Sequence, residues 1–419
     1  MIRQFSCKNF RNINVKELPL GRINILIGPN NSGKSNFIKA LSFYSNMLKH
    51  ASDGVEGTDF LNAMSRNGWK HSRNFLSKEG EEVSFEWHMD LAEEPMVFRF
   101  AYLVGDERKD FRITLEELNA EANGSKYSQE FNYFRAHKTK NGNGNISTAL
   151  KKGKENKRIP IKVSSIETII SQFDKLLLEE KALYNSKTVR SDINEFVKEL
   201  NNSFKSFYCY SLADLDMRAI RRRVDTKNVD SVLKRDGSNL TNVFNFYKND
   251  NPLWKQKYLE LLKSVMRNLV NIEVVDQRDT MAMCLVEKDK AVELADVSDG
   301  SIKALMLALL FCPISKVKYN LLAIDEPEIN MHPAWQKVFA DIVLESSSYE
   351  QCVISTHSPE FLDRFTDRFK EENEVEVFAF DLHGNIRHIK YEEIAQDLGD
   401  WLLGDLYRTQ DPALGGWPW

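Results

Sequence analysis

The residues Gly28-Pro29-Asn30-Asn31-Ser32-Gly33-Lys34-Ser35 fit the pattern G-x-x-x-x-G-K-[ST], a loop built to hold phosphate. Its two glycines free the backbone to curl until successive N–H groups point at phosphate oxygens. Lys34 is expected to reach the β- and γ-phosphates of a nucleoside triphosphate, and the Ser35 hydroxyl to ligate magnesium. A second set of chemically able residues lies far along the chain, where the run Leu321-Leu322-Ala323-Ile324 ends in Asp325 and Glu326. Asp325 is expected to hold magnesium, directly or through water, and Glu326 to orient and deprotonate the attacking water. Two carboxylates at a strand end could instead serve the N-terminus of the next helix. His357, 32 residues beyond Asp325, could hydrogen-bond a γ-phosphate or that water.

These residues are useful only if the chain brings them together. The apolar run Ile23-Asn24-Ile25-Leu26-Ile27 predicts a strand into the loop, and Asn36-Phe37-Ile38-Lys39-Ala40-Leu41 a helix out of it. That helix adds the positive end of its dipole to the phosphate site. Residues 321–324 read as a buried parallel strand, whose end opens on the ligand crevice. Pro333 starts a helix to about Leu344, and Cys352-Val353-Ile354-Ser355 is a further strand. One strand–helix–strand unit spans that distance, so His357 is expected at the same sheet edge as the carboxylates. Upstream, Val297-Ser298-Asp299-Gly300-Ser301 precedes a very apolar helix at 302–310. Ser298 reads as its N-cap, and the turn as a second anion site.

With 419 residues the chain exceeds one minimal domain, and 42% hydrophobic with 28% charged residues excludes bulk disorder. A net charge of −4 carries no general nucleic-acid signal, so any basic surface is local. Cys7, Cys209, Cys284, Cys312 and Cys352 are scattered without a C-x-x-C pair, which argues against a disulfide framework or a zinc site. No signal peptide is visible, and the longest apolar run, 304–314, is about half of what a membrane span needs. A soluble, cytoplasmic protein without membrane contact is expected.

Period-2 alternation at 83–89, 97–102 and 111–115 predicts an antiparallel β lobe after the P-loop helix. The Lys-, Asn- and Gly-rich residues 137–158 read as a loop, solvated or touching nucleic-acid phosphates. Ile166, Ile169, Ile170, Phe173, Leu176 and Leu177, then Ile193, Phe196, Val197 and Leu200, predict two modest helices. Arg218, Arg221, Arg222 and Arg223 form a basic segment, read as a solvated or salt-bridged face in preference to a binding site. Residues 250–270 read as helical, and 272–275 and 282–286 as strands. The expected organisation is 1–160 with P-loop and β lobe, 161–230 as helical insert, and 231–419 with the remaining chemistry.

In order, residues 28–35, Ser298-Asp299-Gly300, Asp325-Glu326 and His357 resemble the P-loop, signature, Walker B and switch histidine of ABC-type ATPases. Within that class the chain resembles the RecF/SMC/OLD-like branch. Lys8-Asn9-Phe10-Arg11-Asn12 is similar to its K-N-F-R motif, and Asp236-Gly237-Ser238-Asn239-Leu240 to its D-G-x-N-L element. Asp325-Glu326-Pro327-Glu328 with His332-Pro333, and Ser355-Thr356-His357-Ser358-Pro359, complete the match, which spans residues 1–50 and about 233–385. The resemblance implies an α/β fold: a P-loop ABC-type ATPase head with mixed sheet, an antiparallel β lobe and a short helical insert. It implies ATP and magnesium as ligands, with Gly28, Pro29, Asn30, Asn31, Ser32, Gly33, Lys34 and Ser35 on the nucleotide. It also implies that Ser298 and Gly300 act on ATP held by a second head, so that ATP is sandwiched in a head-to-head dimer or higher oligomer.

Some features depart from the pattern. Asp299 stands where transporter-type L-S-G-G-Q has its second glycine, and neither Gln129 nor Gln172 has the context of the Q-loop glutamine. The insert is too short for SMC arms, and nothing after residue 385 reads as an OLD-type TOPRIM nuclease. The tail carries Trp401, Trp417 and Trp419, which either fold back on the core or form a docking patch. It resembles tails of stand-alone ATPases that work beside a separately encoded effector, a nuclease or toxin, in anti-phage defence. The expected role is the sensor or scaffold subunit of such a system. A DNA-maintenance ATPase clamping DNA and a scaffold with ATP as structural ligand are the alternatives.

Overall fold

In the computed structural model, residues 1–51, 72–74, 80–104, 112–122, 130–138, 144–147, 158–161, 167–170, 187–288, 290–312, 318–371 and 374–416 are described. The chain opens with β1 (Ile2–Phe10), β2 (Ile13–Pro19), β3 (Ile23–Ile27), α1 (Lys34–Leu41) and α2 (Phe43–Ala51). Then come β4 (Val83–Leu91), β5 (Glu94–Leu103), β6 (Arg112–Ala120), β7 (Phe131–Lys138), β8 (Gly144–Ser147), β9 (Arg158–Ile161) and α3 (Lys187–Lys205). β10 (Phe207–Ser211), α4 (Met217–Ile220), β11 (Val224–Asp225), α5 (Leu240–Asp250) and α6 (Pro252–Val265) follow. β12 (Leu269–Gln277), β13 (Thr280–Glu287), β14 (Ala291–Glu293), α7 (Asp299–Phe311) and β15 (Tyr319–Asp325) lead to α8 (Pro333–Glu345) and β16 (Tyr349–Ser355). The chain closes with α9 (Pro359–Asp363), α10 (Thr366–Lys370), β17 (Val375–Phe380), β18 (Ile386–Ile389), α11 (Tyr391–Leu398) and α12 (Leu403–Arg408).

The chain divides into two units. Unit 1 is Met1–Gly21, Asn30–Phe207 and Leu382–Ile386. Its eight-stranded sheet has the order β2-β1-β4-β5-β6-β7-β8-β9. Along β4 the alternation is strict: Val83, Phe85, Trp87, Met89 and Leu91 are buried and the residues between them are not. Helices α1 and α2 pack on that apolar face, with the Phe43 ring stacked 5.1 Å from Phe85 and 5.2 Å from Tyr102. From α3, Phe204 meets Trp87 edge-on at 5.3 Å. The buried carboxylate of Glu116 is bonded at both oxygens, by the Tyr44 hydroxyl (2.9 Å) and the Ile169 N–H (2.8 Å).

The expected loop over 137–158 needs correction. Residues 144–147 and 158–161 are strands, paired antiparallel to β7 and to each other. Composition favoured a loop, but an open sheet edge offers backbone partners to any segment that reaches it. Residues 137 and 138 end β7, residues 139–143 and 148–157 together with Phe111, Ile166, Phe173, Leu176 and Leu177 lie outside the described residues, and Ile169 and Ile170 are buried.

Unit 2 is Arg22–Pro29, Tyr208–Asp381 and Arg387–Trp419. Its six-stranded sheet has the order β10-β15-β16-β3-β17-β18, with β15, β16, β3 and β17 parallel. From Ile302 onward helix α7 is buried on every side and, Lys303 apart, wholly apolar, and Tyr258 of α6 donates a 2.8 Å hydrogen bond to its Leu305 carbonyl. Helix α5, which periodicity did not mark, begins where Asn239 ties the preceding turn together through Lys234 N–H and the Val232 carbonyl. In that turn Gly237 has φ +73°, and a Cβ there would press on Ile220 at 2.8 Å. The tail divides: Leu403, Leu406, Tyr407 and Leu414 are buried, whereas Trp401 and Leu402 are exposed. Trp417 and Trp419 lie outside the described residues. Among the described residues no helix is long and apolar enough to cross a membrane.

Candidate active site

Strand register builds the first part of the site, all of it in unit 2. Ser355 of β16 pairs with Leu26 of β3 on one side and with Asp325 of β15 on the other. The Thr356 N–H donates to the Leu26 carbonyl at 3.0 Å. Three parallel strands therefore end level. One leads to Gly28 (φ +144°), one carries Asp325 and Glu326, and one leads to His357. Ser355, which sequence reasoning passed over, joins the acidic pair: its hydroxyl donates to Asp325 Oδ1 and accepts from the Glu326 N–H at 3.1 Å. Glu326 sits at φ +51°, a left-handed conformation costing a non-glycine residue about 1–2 kcal/mol. Its N–H is also held by the Ser355 carbonyl at 3.1 Å, so the surroundings impose the strain that aims this carboxylate.

His357 has neighbours on three sides. Its Nε2 lies 3.4 Å from Glu326 Oε1, its Nδ1 lies 3.4 Å from the Tyr407 hydroxyl, and its backbone N–H donates to Glu328 Oε1 at 2.5 Å. Burial pushes the Glu328 carboxyl up to about 7, against the pull of the His357 N–H bond and with the Glu326 charge adding to the rise. Ser358 caps α9 through the Phe361 N–H (3.0 Å) and donates to Gln336 Oε1 on α8. The loop after β16 is thus held at several points.

Because the folded Glu328 carboxyl titrates near 7 rather than 4.5, folding disfavours its charged form. Its stability contribution is intact below 4.5 and is lost as pH rises through 7. Thermal melts of the ligand-free protein should show Glu328→Gln to be stabilising, with a gain larger by about 2 kcal/mol near pH ~8.5 than near pH ~5.5. An equal effect at both would mean that this carboxyl titrates ordinarily.

Ser298 caps α7, accepting from the Ser301 N–H at 3.2 Å, and it is exposed. Asp299 pairs with Arg221 at 2.6 Å, and Arg223 pairs with Glu293 at 2.5 Å, so these members of the basic segment are salt-bridged. The first turns of α7 lie against the turn that follows the acidic pair. Buried Lys303 donates to the Ile329 carbonyl at 3.2 Å, and a Cβ on Gly300 would come within 2.9 Å of the Asn330 carbonyl.

The chain passes from unit 2 to unit 1 inside the P-loop, after Pro29. Within unit 1, Asn31 and Gly33 have positive φ, and the Phe37 N–H donates to the Gly33 carbonyl at 2.8 Å to open α1. Asn12 Nδ2 donates to the Ser32 carbonyl (3.3 Å), Asn36 donates to Asn12 Oδ1 (2.8 Å), and Arg11 donates to Asn36 (2.9 Å). A Cβ on Gly33 would meet Asn12 Nδ2 at 2.8 Å. The segment 8–12 thus braces the loop, a role its motif had not revealed. Left-handed residues in such a loop turn N–H groups inward as an anion nest. Taken unit by unit, the donor types suit phosphate and magnesium: in unit 1 the ammonium of Lys34 and the hydroxyl of Ser35, and in unit 2 the carboxylate oxygens of Asp325. Gln129 and Gln172 lie outside the described residues. Tyr407 carried no local signal, being 50 residues beyond His357.

No curated protein matches the chain. Solved structures similar to it include an SMC head bound to the C-winged helix domain of ScpA, with TM-score 0.48 and 13% identity over 93% of this chain and 97% of that one. The SMC head domain from Thermotoga maritima has TM-score 0.40 and 12% identity over 90% and 94%. The Smc head domain with an extended coiled coil, bound to the C-terminal domain of ScpA derived from Pyrococcus furiosus, has TM-score 0.42 and 12% identity over 95% and 98%. The family described as "AAA domain, putative AbiEii toxin, Type IV TA system" matches residues 23–363, a span that takes in the P-loop, the Ser298 turn, the acidic pair and His357. The chain belongs to that AAA-domain family.

Proposed function

We propose that the chain binds ATP with magnesium and hydrolyses it, and that ATP joins two copies head to head. The observation that carries this reading is the level ending of β3, β15 and β16, which sets the entry to the P-loop beside Asp325, Glu326 and the His357 loop. Lys34 and the loop N–H groups take the phosphates, while Ser35 and Asp325 hold magnesium. Magnesium, when bound, draws charge from the phosphate oxygens. Glu326 accepts the proton of the attacking water, and His357, with Nε2 toward Glu326, donates to the γ-phosphate or that water.

Ser298 and Gly300 are assigned to the nucleotide of the second copy. Exposed Ser298 stands at the N-terminus of a thirteen-residue helix, where N–H groups and dipole favour an anion. Ser298→Arg should leave ATP binding to one chain unchanged, remove the ATP-induced dimer in light scattering, and lower turnover by about 100-fold or more. Turnover at the wild-type rate would sink the assignment in trans.

The physiological reading is that of a sensor or scaffold subunit in an anti-phage system, gating a separately encoded nuclease or toxin. Membership of an AbiEii-associated family supports it. Purification from the native host with ATP tests it. A copurifying nuclease or toxin supports it, and repair factors would favour the DNA-clamping alternative. Against that alternative, Arg221 and Arg223 pair with acidic neighbours.

A further inference from the structure

The tail of this chain reaches the switch loop. Helix α12 docks on α9, the helix that starts directly after His357-Ser358. Arg408 donates to Asp363 Oδ2 at 3.0 Å and to Glu360 at 3.3 Å, and the Leu403 N–H donates to Thr366 at 3.0 Å. The approach is close enough that a Cβ on Gly404 would collide with the Asp363 carboxylate and the Pro359 carbonyl. Leu403, Leu406 and Tyr407 are buried, and Tyr407, 7% exposed, places its hydroxyl 3.4 Å from His357 Nδ1.

We propose that Tyr407 is a positioning residue for His357, its hydroxyl occupying Nδ1 so that the imidazole carries its proton on Nε2. The docking of α12 thereby sets the readiness of the switch loop. The chemistry requires an assigned tautomer, because a neutral imidazole donates from one nitrogen only. Nε2 faces Glu326 Oε1, and a carboxylate or a γ-phosphate can only accept there. A hydroxyl donating to Nδ1 leaves the proton on the useful side. Burial, with the Glu328 charge nearby, pushes the Tyr407 phenol up to about 12, so it keeps its proton. Glu326 and Tyr407 face the ring at Nε2 and Nδ1, and Glu328 accepts from the backbone N–H of His357. Glu360 and Asp363 of α9 are engaged by Arg408.

The inference rests on the reading of His357 as the switch residue, and its test separates the two. In full-length Tyr407→Phe, kcat should fall about fivefold to tenfold, the worth of one hydrogen bond, with KM for ATP unchanged and the melting temperature lowered by no more than about a few degrees. The 15N imidazole signal of His357, assigned by its loss in His357→Gln, should shift from the Nε2–H form to a mixture of tautomers. Gly404→Ala, which displaces α12 while keeping the hydroxyl, should lower kcat alike. If Gly404→Ala fails to fold, the split between kcat and KM and the 15N signal in Tyr407→Phe still decide. A wild-type kcat with an unmoved signal in Tyr407→Phe overturns the inference. A wild-type protein that turns over no ATP overturns the function proposed above, and the 15N signal then still decides the role of Tyr407.

Discussion

Lys34→Ala should remove ATP binding. The ammonium is the one full positive charge in the P-loop motif. Hydrogen bonds to charged groups are worth about 1.5–3 kcal/mol each, so losing two phosphate contacts weakens affinity by at least about 100-fold. Lys34 is buried, at 5% exposure, so alanine also removes an apolar stem. Lys34→Met keeps the stem and deletes only the charge, which separates binding from packing. Calorimetric titration with ATP-Mg measures the loss directly. A thermal shift gives an independent reading, since ligand at about 100 times its Kd stabilises the wild type by about 2.7 kcal/mol. That shift should vanish in both variants while the ligand-free melting temperature of Lys34→Met stays near wild type. Affinity within threefold of wild type in Lys34→Met would refute the phosphate assignment.

The placements that the sequence made legible are those whose spacing is local. A P-loop is eight consecutive residues between a strand and a helix, and α1 indeed begins at Lys34. His357 could be placed beside Asp325 because β15, α8 and β16 are consecutive, and a strand–helix–strand unit returns the chain to the same edge. What stayed hidden depends on closures between distant segments. Arg11 and Asn12 brace Gly33 only because β1 and β2 turn back beside the loop, and Tyr407 meets His357 only after the tail folds onto α9. Glu328 was visible as a letter of D-E-P-E, but its role as acceptor for the His357 N–H requires the loop after β16 to curve over it. The strands at 144–147 and 158–161 escaped for another reason. Their partners are backbone groups of a sheet edge, which composition does not encode.

Glu326→Gln decides whether this chain needs hydrolysis. Glutamine has nearly the same shape, so the strained backbone at φ +51° and its N–H bonds to Ser355 remain, and the carboxylate alone is lost. Without it the water keeps its proton and His357 loses its anionic neighbour. Phosphate release should fall by about 10²- to 10⁴-fold, the usual worth of a positioned general base. Affinity for ATP should hold or improve, because removing a carboxylate from near the γ-phosphate lessens repulsion. Binding without turnover should also make the ATP-joined dimer persist, seen as a stable doubled mass in light scattering with ATP-Mg. Turnover within tenfold of wild type would exclude Glu326 as the base. The cellular result then separates a motor from a scaffold. If the variant still performs the protein's role in the host, joining two heads is sufficient and hydrolysis only resets them. If the role is lost while the dimer persists, release is the working step.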